Sequence, residues 1–164
     1  MSVEDQLCHN LEKILKLQKS LHQIALKKTE IIKADNIDAL GELMKDELKH
    51  IKAIEVLNNE REKFQHQLAN EISISPQSLT ISDLLSSDKI QDKEKLRNLQ
   101  QQLVDQMKIL KEINELNQDL LQHSLNFVNL NLDLLLGQQE SSNYNDQSSD
   151  ETQSINRSIF DSKA

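Results

Sequence analysis

Tryptophan is absent from this sequence, and the aromatic residues amount to Phe64, Phe127, Phe160 and Tyr144. Stacking platforms for bases or sugars are therefore missing, and a net charge of -8 repels phosphate backbones as well. No nucleic acid partner is expected. Glycine occurs only at Gly41 and Gly137, so neither a phosphate-cradling loop nor a dinucleotide fingerprint can be built. Cys8 stands alone, which rules out an internal disulfide framework and makes a reducing cytoplasm the natural compartment. The start, MSVEDQLCHN, lacks a basic stretch followed by an apolar one, and no run approaches the roughly 20 apolar residues of a membrane span. A soluble, uncleaved protein without membrane insertion is expected.

Metal and acid-base chemistry are thinly supported too. His9, His22, His50, His66 and His123 are scattered, with no pair three or four residues apart where one helix face offers two ligands. Carboxylates alternate with bases, as in Glu60-Arg61-Glu62-Lys63, the pattern of a solvated helix face. A general acid/base pair needs a concave, partly desolvated pocket, which a slender bundle does not supply. No enzyme activity, catalytic residue, metal or cofactor is expected.

What is present is helix-forming material. Hydrophobic residues make up 37% of the 164, about one domain's worth, and Leu, Ile, Lys, Glu and Gln dominate. Leu7, Leu11, Ile14, Leu21, Ala25 and Ile32 recur at helical spacing from about Val3 to Lys33. Lys33-Ala34-Asp35-Asn36 interrupts the pattern, with Asp35 or Asn36 able to cap a new helix. The alternative is one helix of more than about 60 residues, which would have to find burial along roughly 100 Å. A second helix is predicted from Ile37 to Glu71 on Ile37, Leu40, Met44, Leu48, Ile51, Ile54, Leu57, Phe64 and Leu68. The step averages near 3.5, so this seam should coil gently round its neighbours. Arg61 falls beside it, its stem packed on the seam and its guanidinium turned to a carboxylate. Ser73 to Asp88 holds the only proline and is the connector. Within it Ser82 is a candidate cap for a short turn in which Leu84 and Leu85 fold back over the bundle end.

The third helix is predicted over about 91–136, stopped by Gly137, and residues 138–164, polar and acidic, should be disordered in the isolated protein. The expected architecture is thus all-α: three long antiparallel helices over 1–137 and a polar tail.

The third helix carries more apolar surface than one partner face requires. At about 100° per residue, Leu96, Leu99, Leu103, Met107, Leu110, Leu121, Leu125, Val128 and Leu132 form one stripe, the ordinary bundle core. After Glu115 a second set, Leu116, Leu120, Phe127 and Leu135, appears about 100° further round. A small bundle covers only one of them. Asn114, Asn117 and Ser124 lie on or beside the main stripe, where burial would demand hydrogen-bond partners, internal or from another chain. An amphipathic helix laid against Leu116–Leu136 would bury the excess, and self-association in a homodimer would do so equally. A helix ligand would rest on Asn114, Leu116, Asn117, Leu120, Leu121, Ser124, Phe127, Val128, Leu132 and Leu135.

The run LKKTEIIKADNIDALGELMKDELKHIKAIEVLNNEREKF, the later NELNQDLLQHSLNFVNLNLDLL, the lone Tyr144 and the closing IFDSKA together resemble the type III flagellar export chaperones of the FlgN kind. The resemblance spans nearly the whole chain. It implies a cytoplasmic, non-enzymatic chaperone for the hook-associated, hook-filament junction proteins FlgK and FlgL. In such chaperones the cargo's C-terminal helical segment is kept from premature assembly and delivered to the export gate. The resemblance further implies that Tyr144 helps dock the loaded chaperone on the cytoplasmic domain of the gate protein FlhA. A structural coiled-coil protein is the alternative of another class, and it predicts one even seam with no widened apolar end.

Overall fold

The computed structural model of the chain describes residues 1–75 and 79–143, and it is helical: α1 (Val3–Lys33), α2 (Ile37–Ile72), α3 (Ile81–Leu85) and α4 (Lys93–Asn143). No strand occurs among the described residues. The chain divides into a unit from Met1 to Ser124 and a second beginning at Leu125.

Helix boundaries follow from side chains that satisfy orphan backbone groups. Ser2 opens α1 with a capping box, its Oγ accepting the Asp5 N–H at 3.1 Å while the Asp5 carboxylate accepts the Ser2 N–H at 3.0 Å. The turn expected near Asp35 is there. Asp35 takes a left-handed φ of 53°, and the Asn36 and Asp35 N–H groups bond the Ile31 and Ile32 carbonyls, which closes α1 without glycine. Asn36 then caps α2 by accepting the Ala39 N–H at 3.1 Å. Ser73, at φ 62°, ends α2 with the same pair of bonds, Ile74 N–H to Ala69 and Ser73 N–H to Asn70.

Two of the expected stops and starts are corrected. Thr80, not Ser82, caps α3: its hydroxyl accepts the Asp83 N–H and Asp83 returns a bond to the Thr80 N–H. Ser82 lies inside that helix and accepts from the Gln100 amide. Gly137 does not stop the last helix, which continues to Asn143. One interior glycine costs about 1 kcal/mol, and the leucines before it and Gln138-Gln139-Glu140 after it are good helix formers. Of the tail expected to be disordered, 138–143 are helical and 144–164 lie outside the described residues.

Within the first unit the three long helices run up, down and up. Asn10 meets Leu57 and Glu60, Ser20 meets His50 and Lys28 meets Glu47, so α2 is antiparallel to α1. Glu4, Glu12 and Thr29 meet Gln91, Lys95 and Asn117 in rising order, so α4 returns parallel to α1. The start of α4 is held from outside as well as from within. The buried Glu4 carboxylate accepts the Gln91 and Asp92 N–H groups at 3.0 and 2.8 Å, while Asp92 accepts the Lys95 N–H at 3.0 Å.

The core lies at one end. Leu7, Leu11, Ile14 and Leu15 of α1 pack with Leu68 and Ile72 of α2, with Leu96, Leu99 and Leu103 of α4, and with Leu84 and Ile90 from the connector. Leu84 is fully buried, so the fold-back expected of the Leu84-Leu85 turn is realised as a plug. Away from that plug the expected seams open. No residue of α2 from Ile37 to Ile51 is buried, and Met107, on the expected core stripe of α4, is 58% exposed. Periodicity marks a stripe fit for burial, not how far neighbours follow it. α1 is lined with buried side chains as far as Ile32, whereas its two flanks are filled in only where Leu84 and Ile90 sit between them.

Candidate functional site

Two apolar surfaces remain open, and they arise for different reasons. The first is the end of α4. In the first unit, Leu116 and Leu121 are exposed, Leu120 and Ser124 half-buried and Asn114 exposed. Asn117 behaves otherwise. It is 3% exposed, its amide donates to the Ala25 carbonyl at 2.9 Å, and its Oδ1 accepts from the Thr29 hydroxyl. The hydrogen-bond partners that a buried Asn117 required are therefore internal. Its amide pins α4 to α1 and is not available to a ligand, so Asn117 leaves the set of candidate contact residues.

In the second unit, Leu125, Val128 and Leu132 are about half exposed, and Phe127 and Leu135 are each 66% exposed. Leu130, Leu134 and Leu136, which the two-stripe reading left out, are exposed as well. Apolar side chains thus cover all of these turns except the sector that holds Asn126, Asn129 and Asp133. Such a surface is wider than the stripe that one neighbour covers, and a contiguous exposed patch of this kind marks an interaction surface.

The second surface is a groove in the first unit, which the sequence reading did not identify. It is floored by Leu11, Ile14, Gln18 and Leu21 of α1 and walled by Ile51, Ile54, Asn58, Arg61 and Glu62 of α2 and by Gln100, Leu103, Val104, Met107, Leu110, Lys111 and Asn114 of α4. Its larger part, toward Leu79 and Ile81, encloses about 630 Å³, and its smaller part about 320 Å³. Two polar groups in it are incomplete. Gln18 is 8% exposed and its side-chain oxygen has no hydrogen-bond partner among the described residues, and neither has the buried Arg61 Nε. The guanidinium expected to turn to a carboxylate reaches only its neighbour Glu62, at 3.7 Å. Gln18 follows Ile14 by four residues on the buried face of α1, so a polar residue at a core position was the available signal.

Among the described residues no group of His, Cys, Asp and Glu side chains could hold a metal ion. Cys8 is buried, and burial pushes its thiol pKa up, the opposite of what a reactive thiolate needs. No helix among the described residues is long and apolar enough to cross a membrane. Tyr144, the residue to which gate docking was attached, lies outside the described residues.

The FlgN protein family matches residues 1–152. A curated relative, the uncharacterized protein YvyG of Bacillus subtilis (strain 168), is 27% identical over 159 residues, which cover 96% of this chain and 97% of that protein. No solved structure matches.

Proposed function

The chain belongs to the FlgN family of flagellar export chaperones, and we propose that it binds the C-terminal helical segment of the hook-associated proteins FlgK and FlgL on the end of α4. In this reading the chaperone acts in the cytoplasm, without enzymatic chemistry, and delivers its cargo to the cytoplasmic domain of the export-gate protein FlhA through Tyr144.

The observation that supports it is the exposure of apolar side chains over most of the helix circumference from Leu125 to Leu136. A cargo segment that must pair with other subunits after export has an apolar face of its own. Until then that face needs a cover that can be removed. A helix laid along Leu116, Leu120, Leu121, Phe127, Val128, Leu132 and Leu135 would supply one, with Asn114 and Ser124 fixing the register through hydrogen bonds. A structural coiled coil is less well supported, because it requires an even apolar seam and no hydrophobic residue described in α4 beyond Leu103 is buried.

The test is titration calorimetry of the folded protein with a cargo C-terminal peptide. Leu120→Asp and Phe127→Asp each place a charge where a desolvated contact should form, and each should weaken binding by at least about tenfold at unchanged helicity. Parent affinity in both folded variants would move the cargo site off this surface.

A further inference from the structure

We propose that the groove between α2 and α4 receives the α4 end of a second copy of this chain. The free protein is then a dimer in which each copy covers the other's exposed leucines.

The groove has three properties that an occupant must match. Its walls are largely apolar, with Ile51, Val104 and Met107 standing substantially exposed at the rim and Glu62 and Lys111 as charged members beside Arg61. Inside it the Gln18 oxygen and the Arg61 Nε have no partner, and a buried polar group left unpaired is costly unless an incoming chain supplies the missing half. The wall formed by α4 from Gln100 to Asn114 is about 21 Å long at the helical rise.

The α4 end of another copy meets each of them. Leu125 to Leu136 is about 17 Å of helix with an apolar stripe of Leu125, Val128, Leu132 and Leu136. Asn129 and Asp133, one turn apart, run along the edge of that stripe. Asp133 is the only charged residue between His123 and Glu140, and its carboxylate is the acceptor that Arg61 Nε lacks. The Asn129 amide is a donor of the kind the Gln18 oxygen lacks. Apolar length, one carboxylate and one amide thus answer one groove. Reciprocal exchange of the two ends would close the assembly as a two-fold dimer. Cargo that uses the same leucines would then compete with the second copy. That consequence rests on the export reading, whereas the dimer itself does not.

The experiment uses the full chain alone, so its outcome is independent of cargo. Sedimentation equilibrium up to about 200 µM populates any dimer of micromolar affinity, and a dimer is expected. Arg61→Asp and Asp133→Arg should each weaken it by about tenfold or more, since a truncated or reversed pair leaves a charge facing its like. Combining the two exchanges the charges and should restore most of the affinity. A monomer throughout this range overturns the proposal, as does a dimer indifferent to Arg61→Asp. Failure of the double variant to regain affinity overturns it too, because the leucines would then be pairing without the groove.

Discussion

Replacing Asn117 by alanine separates a structural role from a ligand-contacting one. Asn117 is the only buried residue described in α4 beyond Gln106, and it holds α4 to α1 through the Ala25 carbonyl and the Thr29 hydroxyl. Removing it deletes two hydrogen bonds worth about 1 kcal/mol each. No orphan is left behind, because the Thr29 hydroxyl also donates to the Ala25 carbonyl at 3.1 Å and can do so alone. The loss should therefore stay near 2 kcal/mol, rising toward about 3 if the vacated volume does not collapse. A helical domain of this size unfolds in urea with a slope of about 2 kcal/mol/M, so the midpoint should fall by roughly 1 M. Asn117→Leu, which fills the space, should recover part of that loss. Cargo affinity, measured where the variant is folded, should be unchanged in both. An unaltered urea midpoint combined with lost cargo binding would refute this reasoning and return Asn117 to the ligand surface.

Three further outcomes follow from the caps, charges and tail. Ser73→Gly relieves a left-handed φ of 62° and should raise stability by about 1 kcal/mol; a lower melting temperature would count against the α2 ending described above. Hydrogen bonds from Ser2, Lys95 and Thr80 hold the carboxyls of Asp5, Glu12 and Asp83 below their ordinary values. Their contributions are complete above the ordinary carboxylate range and lost as pH falls through the depressed folded values, so the urea midpoint should drop below about pH 4. In Glu12→Gln, whose pair with Lys95 is largely exposed, only a few tenths of a kcal/mol of that drop should vanish, and a midpoint flat from pH 6 to about pH 3 would contradict the assignment. Tyr144→Ala should preserve cargo binding and weaken capture of the loaded complex by the FlhA cytoplasmic domain; equal capture would shift docking to the helices.

The helices themselves were legible because they rest on local chemistry. Apolar spacing fixed α1 and α2 to within a residue, and Asn36 announced the turn as a helix cap with an acceptor side chain. The extra leucines after Glu115 were legible as surplus on the same ground. What escaped were matters of neighbours. Thr80 and Ser82 are equally good caps on paper, and only the reciprocal bond from Asp83 decides between them. Met107 and Leu103 share a stripe, yet one is open and the other buried, because the Leu84 and Ile90 plug reaches one end only. The role of Asn117 depended on facing Ala25 and Thr29 across 92 and 88 residues of sequence. The groove likewise needs three helices at once, so no window of sequence contained it.

Amide hydrogen exchange of the full chain, with and without a FlgK C-terminal peptide, shows whether the end of α4 is the cargo surface. Cargo should slow exchange across residues 125–136, where exposed turns would otherwise open readily, and should leave the Leu7–Leu15 core unchanged. Protection confined to the helices before Ser124, with none gained from Leu125 to Leu136, would contradict that assignment.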